Sequence, residues 1–392
     1  MREREPEPGS EKLGSVNDKV RTAQRVIFID LARALAVVLM VSGHTSSALL
    51  AGSYRTGDWV RIWEFQRGLT SALFLLLSGF AFSVATSRHW GSHITPSFAL
   101  VKRLRRFGLF ILLGYALHFP VRRFAMLADA TDQQWRSFLS VDVLQLIGVT
   151  FVAVQLLVLL VQSRRVFMAA AFTLAAVVIG AAPAVWRTDW TGTLPLALAS
   201  YLSPGTGSQF PLFPWAGFVL FGAGAGQIYA RWGAAHLSAF ANWGMLVPGV
   251  ALILVAYGIS GTPLPASGVD DFRWVPGLIL MRTGVCLVIL GVVAHASRRI
   301  AQLPHVFGAV AQESLAVYFV HLCIVYGSIW NAGLYQFYGE ALGPGATALA
   351  VVTVVLPMIA LAWQWNVLKH HRPRAARVIA LALGIGLAGW LI

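Results

Sequence analysis

An all-α bundle crossing a lipid bilayer about eleven times is the fold class this sequence predicts, and three observations carry it. Of its 392 residues, 57% are hydrophobic and 12% charged, with a mean hydropathy of +0.69. The apolar residues fall in runs of about 17 to 25, the length that crosses a hydrocarbon core as a helix. Lys and Arg gather between those runs, where a membrane protein keeps them.

Residues 1–25 are polar, carry six basic side chains and hold no apolar run. That composition predicts a disordered cytoplasmic tail rather than a cleaved leader. Residues 26–392 then read as a single transmembrane domain. Spans are expected near 26–50, 68–87, 104–121, 140–162, 166–186, 211–230, 243–260, 275–296, 310–331, 346–366 and 376–392. With the N-terminus inside, the inner segments hold twenty of the thirty basic residues and the outer ones eight, Arg33 and Arg282 lying within spans. This bias predicts a multi-pass protein of the inner (cytoplasmic) membrane with a cytoplasmic N-terminus. The net charge of +14 is therefore a topology signal, and no nucleic acid partner is expected. Cys286 and Cys323 sit in apolar runs, with neither a disulfide framework nor metal-ligand spacing, and no metal is expected. There is no Walker A or dinucleotide fingerprint to support nucleotide-driven transport.

The first span, Asp30 to His44, carries three ionisable residues in an apolar run, and such groups by default mark a functional site. Arg33 and His44 are eleven residues apart, which places them on one helix face roughly 16 Å apart along the axis. Asp30, one turn before Arg33, is placed to pair with it. The competing reading has Arg33 snorkelling to the inner interface and His44 resting among the outer headgroups.

In the second span, Ser78-Gly79 permits close approach of a helix or a bound chain. Ahead of the third, Lys102-Arg103-Leu104-Arg105-Arg106 offers forked donors to anionic lipid or to the phosphates of a nucleotide-bearing substrate such as coenzyme A. Asp142 and Gln145 open the fourth span, either orienting a polar acceptor or His44, or capping the helix. The Pro-aromatic segment Phe210 to Trp215 precedes a stripe of small residues at Gly222, Gly224 and Gly226. Arg282 in the eighth span needs a partner from elsewhere, with Asp142 or the Asp270-Asp271 pair as candidates. Tyr318 and His321 share one face of the ninth, as structural or as catalytic residues.

Arg33-x10-His44 preceded by Asp30 resembles the first-helix signature of the acyltransferase-3 superfamily of integral-membrane acyltransferases, and Arg103-x2-Arg106 resembles a second motif of that group. Leu144 to Phe151, Phe210 to Trp215 and Tyr318-x2-His321 look more like the heparan-α-glucosaminide N-acetyltransferase branch and its bacterial relatives, over about residues 26–366. Ala34 stands where the superfamily often has Gly. The resemblance implies a cytoplasmic acyl-CoA donor, acetyl-CoA above all, and an extracytoplasmic sugar hydroxyl or amine as acceptor. It carries His44 over as the essential His, and Arg33, Arg103 and Arg106 as donor contacts. Asp142, Gln145 and Arg282 are the expected acceptor-side residues, and Tyr318 and His321 are expected to orient the thioester or stabilise its oxyanion. A homodimer is left open. The rival from another class is a transporter or flippase that uses Arg33, His44, Arg282 and His321 as a polar pathway.

Overall fold

The computed structural model describes residues 26–260 and 276–390, an all-α bundle. Its main helices are α1 (Ile27–Leu49), α2 (Asp58–Arg88), α3 (Phe98–Leu117), α4 (Val143–Val161), α5 (Arg164–Arg187), α6 (Leu212–Ile228), α7 (Val247–Ser260), α8 (Pro276–Ser297), α9 (His305–Gln312), α10 (Ser314–Tyr326), α11 (Pro344–His371) and α12 (Pro373–Gly389). The expected tail at 1–25 and the Asp270-Asp271 pair lie outside the described residues.

Seven helices among the described residues are long and apolar enough to cross a membrane, α7 together with the helical residues before it as Leu237–Ile259, and the α9–α10 pair, bent by 73°, makes eight if it is one span. The expected count of about eleven is not reached. The other three predicted spans coincide with α3, whose first half carries Lys102, Arg103, Arg105 and Arg106, and with α6 and α12, each 17 residues long. Charge sets the first apart, and the other two stand at the lower limit of the spanning length. Helix α2 departs in the opposite sense. It begins at Asp58, ten residues before the apolar run, and its 31 residues extend about 46 Å.

Helix α1 lies between two apolar clusters. Phe28, Ile29, Ala32, Ala36 and Met40 join a large core built with α2, α4, α6 and α8. On its other side Ala34, Val37, Val41, Ala48 and Leu49 meet Val310 of α9, Val317 and Val325 of α10, and Val354, Met358 and Ala362 of α11. In lipid such contacts gain dispersion and close fit rather than release from water. The tightest fit is between α2 and α6. A Cβ at Gly79 would strike the Val219 carbonyl, and one at Gly222 would strike the Leu76 carbonyl, so the two backbones touch. The Ser78-Gly79 pair is thus occupied by a neighbouring helix.

The bend between α9 and α10 falls at Glu313, a buried residue whose carboxylate accepts from Asn366 Nδ2 at 2.8 Å and from Lys369 Nζ at 2.7 Å. Both donors belong to α11. The paired charge fixes the start of α10, and with it the height of Tyr318 and His321, against a long helix.

Candidate active site

Helix α1 is continuous from Ile27 to Leu49, so Arg33 and His44 do share one rod. Around His44 the hydroxyls of Ser42, Thr45 and Ser46 bond back to the carbonyls of Val38, Val41 and Ser42, each at 2.8 Å. Those polar groups are used within the helix, and the imidazole is left as the reactive group of this turn. His44 Nδ1 lies 2.8 Å from His321 Nε2, across 277 residues of sequence. The ring planes differ by 16° and the centroids are 5.1 Å apart, the separation expected of two rings joined nitrogen to nitrogen nearly in one plane. His321 is fully buried, and its Nδ1 is 2.8 Å from the Val317 carbonyl oxygen one turn earlier.

His44 forms part of the wall of a cavity of about 620 Å³ to which α1, α2, α4, α8 and α10 all contribute. His321 stands behind His44, outside the lining. Tyr318 lines the cavity and donates its hydroxyl to Asp142 Oδ2 at 3.1 Å. Asp142 Oδ1 meanwhile caps α4, accepting from Val143 N at 2.7 Å. One carboxylate therefore ties the start of α4 to α10. Gln145 completes the capping box by returning Oε1 to the Asp142 amide at 3.3 Å. It is fully buried beneath Gly114 and does not line the cavity. Of the expected acceptor-side residues, Asp142 and Arg282 reach the cavity and Gln145 supports it from behind.

Arg282 is buried and crosses α2 where there is no side chain, since a Cβ at Gly68 would fall on its guanidinium. The lining residues not singled out in the sequence include Glu64, Arg67, His118 and Tyr326. Arg67 stacks over Trp63 with its guanidinium carbon 4.9 Å from the ring centroid. Tyr326 packs edge-on against His44 at 5.8 Å. The signal for the first two was available, because Glu64, Arg67, Ser71 and Phe74 follow the spacing of a single helix face. That stripe crosses the boundary of the apolar run, where the expected span stopped. The walls thus hold two guanidinium groups, two carboxylates and two imidazoles around one cavity.

Arg33, Arg103 and Arg106 do not line this cavity. Arg33 is half-buried three turns along α1, with Asp30 and Arg106 as charged neighbours, and its Nε makes no hydrogen bond among the described residues. Arg103 Nη1 donates to Thr86 Oγ1 at 2.8 Å and Gln155 Oε1 at 3.1 Å, while the guanidinium covers the Phe82 ring at 4.8 Å. Arg106 is exposed. The three arginines thus gather at the end of the bundle opposite His44, but in different states of engagement. Among the described residues no group of three or more His, Cys, Asp or Glu side chains is arranged to hold a metal ion.

Comparison with known families matches residues 25–253, more than half of the chain, to the catalytic region of heparan-alpha-glucosaminide N-acetyltransferase. The chain belongs to this family. It is a membrane acetyltransferase. A comparison with curated proteins finds no match. The family match ends well before the residue 366 that the sequence resemblance reaches. It contains Arg33, His44, Arg103, Arg106, Asp142 and Gln145, while Arg282, Tyr318 and His321 lie beyond it. The cavity is built from both parts, and the partner of His44 comes from the part outside the match.

Proposed function

We propose that the protein transfers an acetyl group from cytoplasmic acetyl-CoA to a sugar hydroxyl or amine on the extracytoplasmic side of the inner membrane, with His44 as general base. The observation that carries this reading is the position of His44. It is a base on the wall of a 620 Å³ cavity, engaged through one nitrogen only, within the segment that matches an acetyltransferase family. His44 Nε2 takes the proton of the acceptor as its oxygen or nitrogen bonds to the thioester carbonyl carbon. The C–S bond then breaks, and the proton held on Nε2 returns to the departing thiolate. Arg67 and Arg282 are the cationic lining groups available to a developing oxyanion. Tyr318, with its hydroxyl committed to Asp142, supports the wall rather than the oxyanion.

On the donor side, Arg33, Arg103 and Arg106 suit the phosphates of coenzyme A. Guanidinium forks match phosphate oxygens, and Arg33 Nε and the exposed Arg106 are placed to accept such a ligand. The pantetheine arm would cover the roughly 16 Å of α1 between them and His44. The basic bias of the segments on the Arg33 side supports a cytoplasmic location for that end.

The test is release of free thiol from acetyl-CoA by the purified protein in lipid nanodiscs, with amino sugars and neutral sugars offered as acceptors. Acceptor-dependent release by the wild type, lost in a folded His44→Ala variant, is the expected result. A His44→Ala protein with full transfer activity would overturn the assignment of the base. Movement of substrate across the bilayer without thiol release would favour the transporter reading.

A further inference from the structure

We infer that His321 is a positioning residue that holds His44 in the one tautomer able to act as a base toward the cavity. The inference rests on the reading of His44 as the base and concerns a residue beyond the segment of the family match.

The Val317 carbonyl can only accept, so the 2.8 Å contact requires a proton on His321 Nδ1. A neutral imidazole carries one N–H, so His321 Nε2 then bears a lone pair. The 2.8 Å contact between the rings in turn requires that His44 Nδ1 carry the proton and donate. The lone pair of His44 is thereby assigned to Nε2, which makes no hydrogen bond to another described residue. Free neutral imidazole side chains favour the opposite tautomer, with the proton on Nε2. An unassisted His44 would present an N–H, not a base, to an acceptor. A backbone carbonyl, read through a second imidazole, here does what a carboxylate does for the histidine of a Ser-His-Asp triad.

The same chain serves the step itself. When Nε2 takes the acceptor proton, His44 becomes an imidazolium whose Nδ1–H already faces an acceptor, and no other proton has to move. His321 is fully buried and is fixed through α10, whose start is clamped to α11 by Glu313 and Lys369. Other polar groups of the cavity beside the pair include Tyr318 and Tyr326 of α10, Glu64 and Arg67 of α2, His118 just after α3, Arg282 of α8 and Asp142 at the start of α4. Apart from His321, none of the described residues forms a hydrogen bond to a ring nitrogen of His44.

The experiment compares His321→Leu, His321→Gln and His44→Ala in nanodiscs, with thermal unfolding as the check on folding. It reads kcat and the KM for acetyl-CoA, together with the ring 15N signals of His44 in histidine-labelled protein, assigned by their loss in His44→Ala. Leu fills the space without an acceptor. Its kcat should fall by on the order of 10² to 10⁴, the range for a base presented in the wrong form, at unchanged KM. Gln offers a carbonyl oxygen to His44 Nδ1–H and should restore kcat to within about tenfold of wild type, since roughly one hydrogen bond is altered but not lost. In the wild type the His44 signals should report a protonated Nδ1 and a bare Nε2, and in His321→Leu they should exchange. Wild-type kcat in His321→Leu, or unexchanged signals, would overturn the inference while His44→Ala remains inactive. Activity in His44→Ala would instead overturn the reading of the base itself.

Discussion

The two ends of α1 are built in opposite ways. Around His44 several polar groups are tied down, His44 on His321 and Tyr318 on Asp142 across the bundle and His321 on Val317 within α10, and His44, Tyr318 and Asp142 help line a cavity. Around Arg33 the side chains are less committed. Arg33 Nε has no hydrogen-bond partner among the described residues, Arg106 is exposed, and Arg103 has two bonds through one of its three nitrogens. On the proposed function, the difference is the one expected between a site that holds a base to within fractions of an ångström and one that grips and releases a charged, flexible ligand. Fixed geometry needs internal partners, whereas a binding end keeps donors for the ligand to satisfy.

The largest effect that sharpens this contrast is expected from His44→Ala, which should lower kcat by on the order of 10² to 10⁴ without changing the KM for acetyl-CoA. Steady-state thiol release measures both. Next is Gly68→Val. It places a side chain where the Arg282 guanidinium lies and should lower kcat/KM for the acceptor by roughly 10- to 100-fold, the equivalent of a charged hydrogen bond, leaving the KM for the donor unaltered. At the other end, Arg106→Ala should raise the KM for acetyl-CoA about tenfold, as for loss of one phosphate contact, with kcat intact. A change in kcat without a change in KM would erase the distinction between the two ends. Arg103→Ala should also lower the unfolding temperature, because Thr86 and the buried Gln155 lose their donor.

The smallest expected effect concerns pH. His93, in the turn between α2 and α3, is held down to about 4 by its burial, with Arg103 and His89 adding to the effect. The unfolded chain, near 6.5, therefore takes up this proton before the folded one does. Stability contributed by neutral His93 is complete above about pH 6.5 and falls as the pH drops from there toward 4. Unfolding midpoints across that window should decline less steeply in His93→Asn than in the wild type.

Much of this was legible in the sequence because membrane helices are written locally. The run from Ile27 to Leu49 is largely apolar apart from Asp30, Arg33, His44 and a few small hydroxyl residues, and its ends fall within a residue of those expected. The His44 and Tyr318-x2-His321 motifs each mark a helix face that proves to border the cavity or to stand directly behind it. What links them is not local. No periodicity joins residue 44 to residue 321, and only the packing of α10 on α1 brings the two rings together. Arg67 and Glu64 were hidden for a different reason, since a charged stretch reads as a loop when an apolar run defines the span, although α2 continues straight through it. The spans at α3, α6 and α12 show the converse, where apolar character marked a helix that carries a charged first half or stands at the lower limit of the spanning length.

The grip on α1 from two sides has a mechanical meaning. Turning this helix by one residue, about 100°, would drive its alanine and valine faces into the wrong clusters, with Phe28 and Met40 entering the space filled by Val310 and Val354. His44 is therefore mounted on the stationary part of the machine. On the proposed mechanism donor and acceptor would travel to it, one along each end of the same fixed axle, with turnover carried by the passengers rather than by the bundle.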